Sequence, residues 1–251
     1  LAGVGGQGIL TVAYLLDSAA IARGLRFKQA EVHGMAQRGG AVYSHMRLSD
    51  RAVHSDLVPS GAADMVLSLE PLEVQRYVHY LSPTGVVVAN DQPFKNIADY
   101  PAEAELLAAL EALPRCILID AKAICDQAGA PRAQNVAMVG AACPFLPFVP
   151  ADFEPILADQ FARKGEHVVR ANLAVLDAGW RAGSLVKALL EAGVTSALSA
   201  ALVRKLDPAT VDPGLAGAFA PALKTPGARA RLDAIEGRVA CDAGLIARIA
   251  G

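Results

Sequence analysis

The sequence has few aromatic residues and almost no net charge. Aromatic residues make up 5% of its 251 residues, and the formal net charge is -2 at pH 7. A surface that binds nucleic acid needs clustered basic residues or rings on which bases stack, and the chain has no run of lysine and arginine. The composition therefore argues against nucleic acid as a partner.

Paired cysteines are also missing. The four cysteines, Cys116, Cys125, Cys143 and Cys241, are widely separated, and no two of them form C-x-x-C. Iron–sulfur clusters and structural zinc ions are usually held by closely spaced cysteines. We therefore expect no metal site on this chain alone. Scattered cysteines without a disulfide pattern favour a reducing compartment, so we expect a cytoplasmic location.

Long apolar runs are absent as well. No segment reaches the roughly 20 apolar residues of a membrane helix, although hydrophobic residues make up 53% of the chain. This amount is ample for a core and leaves apolar surface for a partner. We expect no signal peptide, and because the chain opens inside its predicted first strand, we expect a few residues ahead of Leu1.

Short apolar strands alternate with helices along the first half of the chain, which favours a sheet covered on both faces. Two extended segments, 25–32 and 41–48, follow one another with only a glycine loop between them. The prediction is an α/β fold: a three-layer, Rossmann-like mixed sheet with an inserted hairpin, plus a C-terminal helical extension. We place the main domain at 1–183 and the extension at 184–251. The expected strands are 63–69, 86–90 and 116–120, and the expected helices are 9–23, 71–80, 103–112, 121–128, 135–142, 152–164 and 166–181.

The first candidate site is the loop Gly3-Val4-Gly5-Gly6-Gln7-Gly8, which fits the dinucleotide pattern G-x-G-x-x-G. Glycine permits positive φ and close approach, and the helix that follows directs free N–H groups at the loop. Gly5, Gly6, Gln7 and Gly8 are therefore candidate contacts for an anion. A tight turn with no ligand is an equal alternative. Glu31 lies at about the position where the dinucleotide pattern requires an acidic residue to bind a ribose.

The second candidate site is Gln37-Arg38-Gly39-Gly40. An arginine beside two glycines offers a planar bidentate donor where a backbone is closely approached. Arg38, Gly39 and Gly40 are candidates to bind a phosphate, a carboxylate or a partner's main chain. The alternative is a surface hairpin with an exposed arginine. We expect the two glycine loops to lie on one edge of the sheet, and this expectation favours function.

A self-contained active site is not visible. No pair of histidines has metal-ligand spacing with a supporting carboxylate, and the chain has no G-x-S-x-G elbow. No residue is assigned a catalytic role.

The two loops together resemble the gamma-type domain of the 2-oxoacid:ferredoxin oxidoreductases. The series runs from Gly3–Gly8 through His33-Gly34-Met35-Ala36-Gln37-Arg38-Gly39-Gly40 to Asn135-Val136-Ala137-Met138-Val139-Gly140. The second of these stretches is most similar to the beta subunit of the indolepyruvate ferredoxin oxidoreductases. The resemblance covers about residues 1–183, and the tail matches nothing known to us.

The resemblance implies a role within a complex. In that family a 2-oxoacid is decarboxylated on thiamine diphosphate with Mg²⁺, electrons leave through [4Fe-4S] clusters to ferredoxin, and the acyl group passes to coenzyme A. The thiamine site and the clusters belong to a larger alpha subunit, so no cofactor is expected on this chain alone. This chain would complete the active site and help to admit coenzyme A, with the first loop and Arg38 at a phosphate.

Two other interpretations stay open at this point. The first is a free-standing NAD(P)-binding Rossmann oxidoreductase that uses the first glycine loop. The second is a structural binding module with no role in turnover.

Overall fold

The computed structural model describes residues 1–32, 39–95 and 97–251. Its strands form one six-stranded sheet in the order β2-β3-β1-β4-β5-β6. The strands are β1 (Ala2–Val4), β2 (Arg26–Val32), β3 (Ala41–Ser49), β4 (Ala63–Ser68), β5 (Leu81–Asn90) and β6 (Cys116–Ile119). The helices are α1 (Ile9–Ala22), α2 (Pro71–Tyr77), α3 (Glu103–Glu111), α4 (Ala121–Gln127), α5 (Gln134–Ala142), α6 (Pro150–Phe161), α7 (Glu166–Glu191), α8 (Ser196–Lys205), α9 (Ala216–Leu223), α10 (Ala228–Asp233) and α11 (Ala243–Ala250).

The sheet is mixed. Strands β1, β4, β5 and β6 run parallel to one another, whereas β3 is antiparallel to both β1 and β2. The hairpin of β2 and β3 therefore extends the parallel sheet at one edge. One face is covered by the large core that includes α1, α5 and α7, and the other by a smaller cluster that includes Val74 of α2 and Leu110 of α3. The predicted fold class, including the inserted hairpin, is confirmed.

Two element boundaries differ from the prediction by five residues or more. Strand β5 begins at Leu81, five residues before the predicted start at 86, because a register shift between Ala63 and Met65 lets the expected turn pair as strand. Helix α7 runs ten residues beyond the predicted end at 181. Gly183 does not stop it, because this glycine serves close packing: a Cβ there would lie 2.3 Å from the carbonyl oxygen of Ala141.

The C-terminal extension packs against the main sheet rather than standing apart. Leu202, Phe219, Leu232 and Ile249 are buried in the same cluster as the residues of α1 and α5. Helix α7 passes through the predicted boundary at 183, so the division into two domains stays a prediction. None of the helices in the described part of the chain is long and apolar enough to cross a membrane.

Candidate functional site

The polar residues that the fold brings together lie at the carboxyl edge of the parallel strands. Strand β1 leads into the first glycine loop, β4 into Glu70, β5 into Asn90 and β6 into Asp120. In open α/β sheets, ligands bind in the crevice beyond this edge. Each of the four positions lies at the end of an apolar strand or within two residues of it, and this is the signal by which the sequence marks the edge.

Two glycines of the first loop have a backbone conformation with positive φ. Gly6 has φ +103° and Gly8 has φ +89°, a region that residues with a Cβ rarely occupy. Gly6 is exposed, and a Cβ there would have open space around it. At Gly8 a Cβ would lie 2.6 Å from the side-chain nitrogen of Asn135. Gly8 therefore has a packing requirement of its own, whereas Gly6 leaves a cradle open to solvent.

Helix α1 begins at this loop with its positive end unblocked. Within the described residues, no side chain caps the first turn, and that turn carries no acidic residue. Free N–H groups and the helix dipole at such an end favour a negative charge. The loop and the helix start are therefore chemically suited to an anion.

The two glycine loops are joined by backbone hydrogen bonds. The Gly5 N–H donates to the carbonyl of Gly40 at 2.8 Å, and the Gly39 N–H donates to the carbonyl of Gly5 at 3.2 Å. This contact exists because β3 pairs antiparallel with β1 and so begins where β1 ends. Arg38, the remaining predicted contact of the second loop, lies outside the described residues. The ligand roles of all these residues stay predictions.

Gln7 holds the first loop against the sheet. Its Oε1 accepts from the Val4 N–H at 2.7 Å, and its Nε2 donates to the Leu69 carbonyl at 3.2 Å. Both ends of the amide are thus engaged within the protein. The side chain links β1 to the end of β4, so a ligand at this loop would meet backbone groups before it met the Gln7 amide.

Glu70 is a buried carboxylate that the sequence analysis did not select. Its Oε2 accepts from the Glu73 N–H at 3.0 Å and caps α2, while its Oε1 accepts from the Phe94 N–H at 3.2 Å. The Tyr100 hydroxyl donates to the same Oε1. Burial raises the pKa of Tyr100 well above its usual range, and this hydrogen bond adds to the effect. The cluster fixes the chain that follows β5 against the end of β4.

Asn90 ties the strand ends together. Its Nδ2 donates to the Leu69 carbonyl at 3.4 Å and to Gln134 Oε1 at 3.2 Å, and its Oδ1 accepts from the Ala121 N–H at 3.2 Å. The residue is buried, and the single side chain joins β4, β5, α4 and α5. Because the donors of this amide are already used within the protein, Asn90 holds the strand ends in place and has no donor left for a ligand.

The far half of the edge is occupied by arginines of the C-terminal extension. Arg204 Nε lies 2.9 Å from Asp91 Oδ2, and its Nη1 lies 2.5 Å from Glu111 Oε1. Arg238 Nη2 lies 2.5 Å from Asp120 Oδ2. The acids beyond β5 and β6 are therefore paired within the chain, and among the described residues the open half of the edge is the one at β1.

No group of three or more His, Cys, Asp and Glu side chains in the described ranges is arranged to hold a metal ion. All four cysteines are free and buried. Burial raises the pKa of the thiols of Cys116, Cys125 and Cys143 to about 12, which keeps them protonated near neutral pH.

Comparison with known proteins shows the family to which this chain belongs. A family model described as pyruvate ferredoxin/flavodoxin oxidoreductase matches residues 1–182. The chain belongs to this family. Among curated relatives, indolepyruvate oxidoreductase subunit IorB of Archaeoglobus fulgidus is 36% identical over 187 residues, which are 71% of this chain and 90% of the relative. The same-named subunit of Pyrococcus horikoshii is 39% identical over 56% of this chain and 73% of its own length.

Solved structures of two oxidoreductases share the fold. The pyruvate oxidoreductase subunit PORC of Thermotoga maritima aligns with a TM-score of 0.52 at 21% identity, covering 71% of this chain and 92% of that one. The 2-oxoglutarate:ferredoxin oxidoreductase of Magnetococcus marinus, solved with 2-oxoglutarate, coenzyme A and succinyl-CoA, aligns with a TM-score of 0.55 at 19% identity. The match covers 71% of this chain and spans only 29% of that longer chain.

The position of β3 argues against the NAD(P) interpretation for this oxidoreductase-family chain. In the dinucleotide fold, the strand that carries the ribose-binding acid lies beside β1. Here β2, which carries Glu31, is separated from β1 by β3. Glu31 is therefore displaced by one strand spacing of about 4.8 Å from the position that the fingerprint requires.

Proposed function

We propose that this chain is the smaller subunit of a thiamine-diphosphate-dependent 2-oxoacid ferredoxin oxidoreductase that converts an arylpyruvate such as indolepyruvate to its acyl-CoA. The observation that carries the proposal is the hydrogen-bonded pair of glycine loops at the open half of the carboxyl edge. The name of the IorB relatives supports the substrate class. The free cysteines support a cytoplasmic location.

Coenzyme A is the cofactor that this edge fits. Its phosphates need N–H donors and positive potential, and the exposed Gly6 with the uncapped start of α1 offers both. Arg38 directly precedes Gly39 in sequence and supplies a bidentate donor for the same phosphate. In this role the cofactor is held by the backbone of Gly6 and Gly8 and by the Arg38 guanidinium. The conformation of the loop is maintained by Gln7 and Asn135.

The thiamine diphosphate, Mg²⁺ and iron–sulfur clusters belong, in our proposal, to a larger alpha subunit. When bound there, they supply the decarboxylation and the passage of electrons to ferredoxin. The described residues of this chain do not fit these groups, because they contain no cluster of metal ligands and all four thiols are buried. This chain contributes the part of the site that binds coenzyme A, the acceptor of the acyl group. It is inactive alone.

The outer face of α1 is the surface that we propose for the alpha subunit. Leu10, Tyr14 and Ile21 lie along one side of that helix and are 51%, 49% and 63% exposed. Between them, Asp17 has a buried Oδ1 that finds no hydrogen-bond partner among the described residues. Burial raises the pKa of Asp17 to about 6, and the neighbouring Glu31 adds to the shift. An apolar partner surface would match the exposed side chains of this face.

The coenzyme A role is tested by Arg38→Ala in the complex reconstituted from this chain and its alpha subunit. The expected result is a KM for coenzyme A raised about tenfold or more, because one charge-assisted phosphate contact contributes about 1.5–3 kcal/mol. Arg26→Ala is the matched control, since Arg26 is exposed at the amino end of β2, the opposite edge. Unchanged turnover and unchanged coenzyme A dependence in Arg38→Ala would favour a structural binding module instead.

The docking surface is tested separately by the double variant Tyr14→Glu/Ile21→Glu. Two charges on an apolar interface are expected to weaken co-purification of the alpha subunit and to leave the fold of this chain intact. Leu57→Glu is the control, because Leu57 is 56% exposed and lies outside α1. Full retention of the alpha subunit by the double variant would exclude α1 as the interface.

A further inference from the structure

The segment between β3 and β4 folds back over the hairpin of β2 and β3. Strand β3 ends at Ser49, yet the Val58 N–H donates to Nδ1 of His45 at 3.2 Å, so the chain has reversed its direction. We call residues 51–60 the flap. In the parts of the chain that the structure describes, no main-chain hydrogen bond joins residues 51–58 to another segment. The flap is therefore attached through side chains.

Three side chains on one face of the hairpin hold the flap. Lys28 of β2 is paired with Arg47 of β3, and His45 precedes Arg47 by two residues, so all three project from the same face. Lys28 Nζ donates to the His54 carbonyl at 3.2 Å, and Arg47 Nη1 donates to the Leu57 carbonyl at 3.4 Å. Lysine and arginine stay protonated at neutral and acidic pH. Of the three attachments, the one at His45 depends on a group that titrates near neutral pH.

The bond to Val58 requires a neutral His45. A ring nitrogen that accepts a hydrogen bond carries no proton of its own, so the imidazole has its proton on Nε2. Protonation of Nδ1 would place a second N–H opposite the Val58 N–H. Two donors cannot share a hydrogen bond, and the imidazolium therefore loses this attachment of the flap.

The surroundings of His45 disfavour its charged form. The side chain is 9% exposed, and its ring lies 5.6 Å from the ring of Tyr43 and 5.0 Å from that of Tyr80, measured between centroids. The charged groups that face it are the Leu1 amino group of β1 and the Asp56 carboxylate of the flap. Burial lowers the pKa of His45, the Leu1 amino group lowers it further, and Asp56 opposes them. The attachment is therefore intact at neutral pH.

We propose that His45 is a pH-sensitive latch that holds the flap closed at neutral pH and releases it when the imidazole takes up a proton. Release frees residues 54–58 from the hairpin face, while the Gly61 N–H keeps its bond to the His79 carbonyl at 3.0 Å. The face of β3 that carries His45 and Arg47 is then uncovered. The latch is independent of the function proposed above, because the flap follows the end of β3 at Ser49 and the glycine loops lie at its other end.

A histidine with a purely structural role is the competing explanation. In that case His45 would stay neutral, and any titration in this region would come from the Leu1 amino group. That group donates to the Ser44 carbonyl at 2.8 Å, and burial lowers its pKa to about 6. The experiment therefore has to separate the two groups.

An NMR titration of the chain 1–251 between pH 8 and 5 makes this separation. The ring C–H shifts of His45 and the amide shift of Val58 are expected to share one midpoint, below the usual histidine value of about 6.5. Below this midpoint, the protection of the Val58 amide against exchange is expected to fall about tenfold, as for the loss of one hydrogen bond. The amide of Val88, in the centre of β5, is the internal reference. His54→Gln, which removes the histidine of the flap itself, is the control and should leave both midpoints unchanged.

Two variants decide between the explanations. His45→Gln offers an amide oxygen as acceptor at every pH, and is expected to abolish the titration of the Val58 amide. Asp56→Asn removes the charge that favours the imidazolium, and is expected to move the midpoints of His45 and Val58 together to lower pH; this result decides the matter even if His45→Gln folds poorly. A Val58 amide that still titrates in His45→Gln, or that fails to follow His45 in Asp56→Asn, would overturn the proposal.

Discussion

Replacing Glu73 with glutamine is expected to remove a pH-dependent loss of stability. Glu73 lies on α2 with its side chain 3% exposed, and Arg76 Nε lies 3.2 Å from its Oε1. Its Oε2 is buried and, within the described residues, has no hydrogen-bond partner. Burial raises the pKa of Glu73 to about 7; Glu70 adds to this shift and Arg76 opposes it. The folded protein therefore favours the protonated form of this carboxyl.

The sign follows from proton binding in the two states. The pKa of an unfolded glutamate is about 4.3. Between about pH 4.3 and 7, the unfolded chain has released this proton and the folded protein retains it, so the free energy of unfolding falls as the pH rises. Below this window the full stability is present, and above it the loss is constant. At about 1.4 kcal/mol for each unit of pKa difference, the loss is on the order of 4 kcal/mol.

Unfolding by guanidinium chloride at pH 4.5, 6.0 and 7.5, followed by circular dichroism, measures the effect. Glu73→Gln is expected to gain stability relative to the wild type as the pH rises, because glutamine keeps the polar shape and does not ionise. Glu105→Gln is the control, since Glu105 is exposed on α3. If the stability difference between the wild type and Glu73→Gln were the same at all three pH values, the assignment of a buried, neutral Glu73 would be wrong.

Three further variants test the packing around the site by the same unfolding measurement. Gly8→Ala is expected to lower the free energy of unfolding by about 2–3 kcal/mol, because both its positive φ and its close neighbour oppose a Cβ. Gly6→Ala meets only the backbone strain and is expected to lower it by about 1 kcal/mol. Equal losses of stability in the two variants would contradict the steric difference. Arg204→Met removes the cation that pairs with the buried Asp91 and the half-buried Glu111 and is expected to cost about 3 kcal/mol, while Arg170→Met, at an exposed pair with Glu166, costs less than about 1 kcal/mol. Gly179→Ala places a Cβ 2.2 Å from a carbonyl oxygen of α5 and is expected to cost about 3 kcal/mol; a variant as stable as the wild type would mean that α5 and α7 are free to separate.

The fold was predictable from the sequence because its strands and helices are marked locally. Alternating apolar strands, the glycine loop before α1 and the two extended segments without an intervening helix were enough to predict a mixed sheet with a hairpin. The length of α7 was not predictable in this way. In the sequence, a glycine at position 183 is typical of the end of a helix. Only its contact with Ala141 of α5 shows that this glycine is there for close packing.

The candidate site was predictable only in part. The glycines of both loops stand out in sequence, and β1–β3 pairing explains why Gly5 and Gly40 meet. Glu70 and Asn90 were missed because their roles depend on groups distant in sequence, such as Tyr100 and Gln134. A polar residue at or near the end of an apolar strand is the signal that points to them. A single sequence gives no sign of which side chains will complete their hydrogen bonds.

The C-terminal extension contributes two arginines to one half of this edge. Its Arg204 and Arg238 pair with Asp91 and Asp120, which stand at the ends of β5 and β6. Those acids would repel a phosphate if they were unpaired. Arg204 brings α8 to that half of the edge, and Arg238 brings the segment between α10 and α11. The other half keeps the uncapped start of α1 and the exposed Gly6. Because the exposed apolar side of α1 begins at the same loop, we expect a partner and an anionic ligand to approach from the β1 side and to meet each other there.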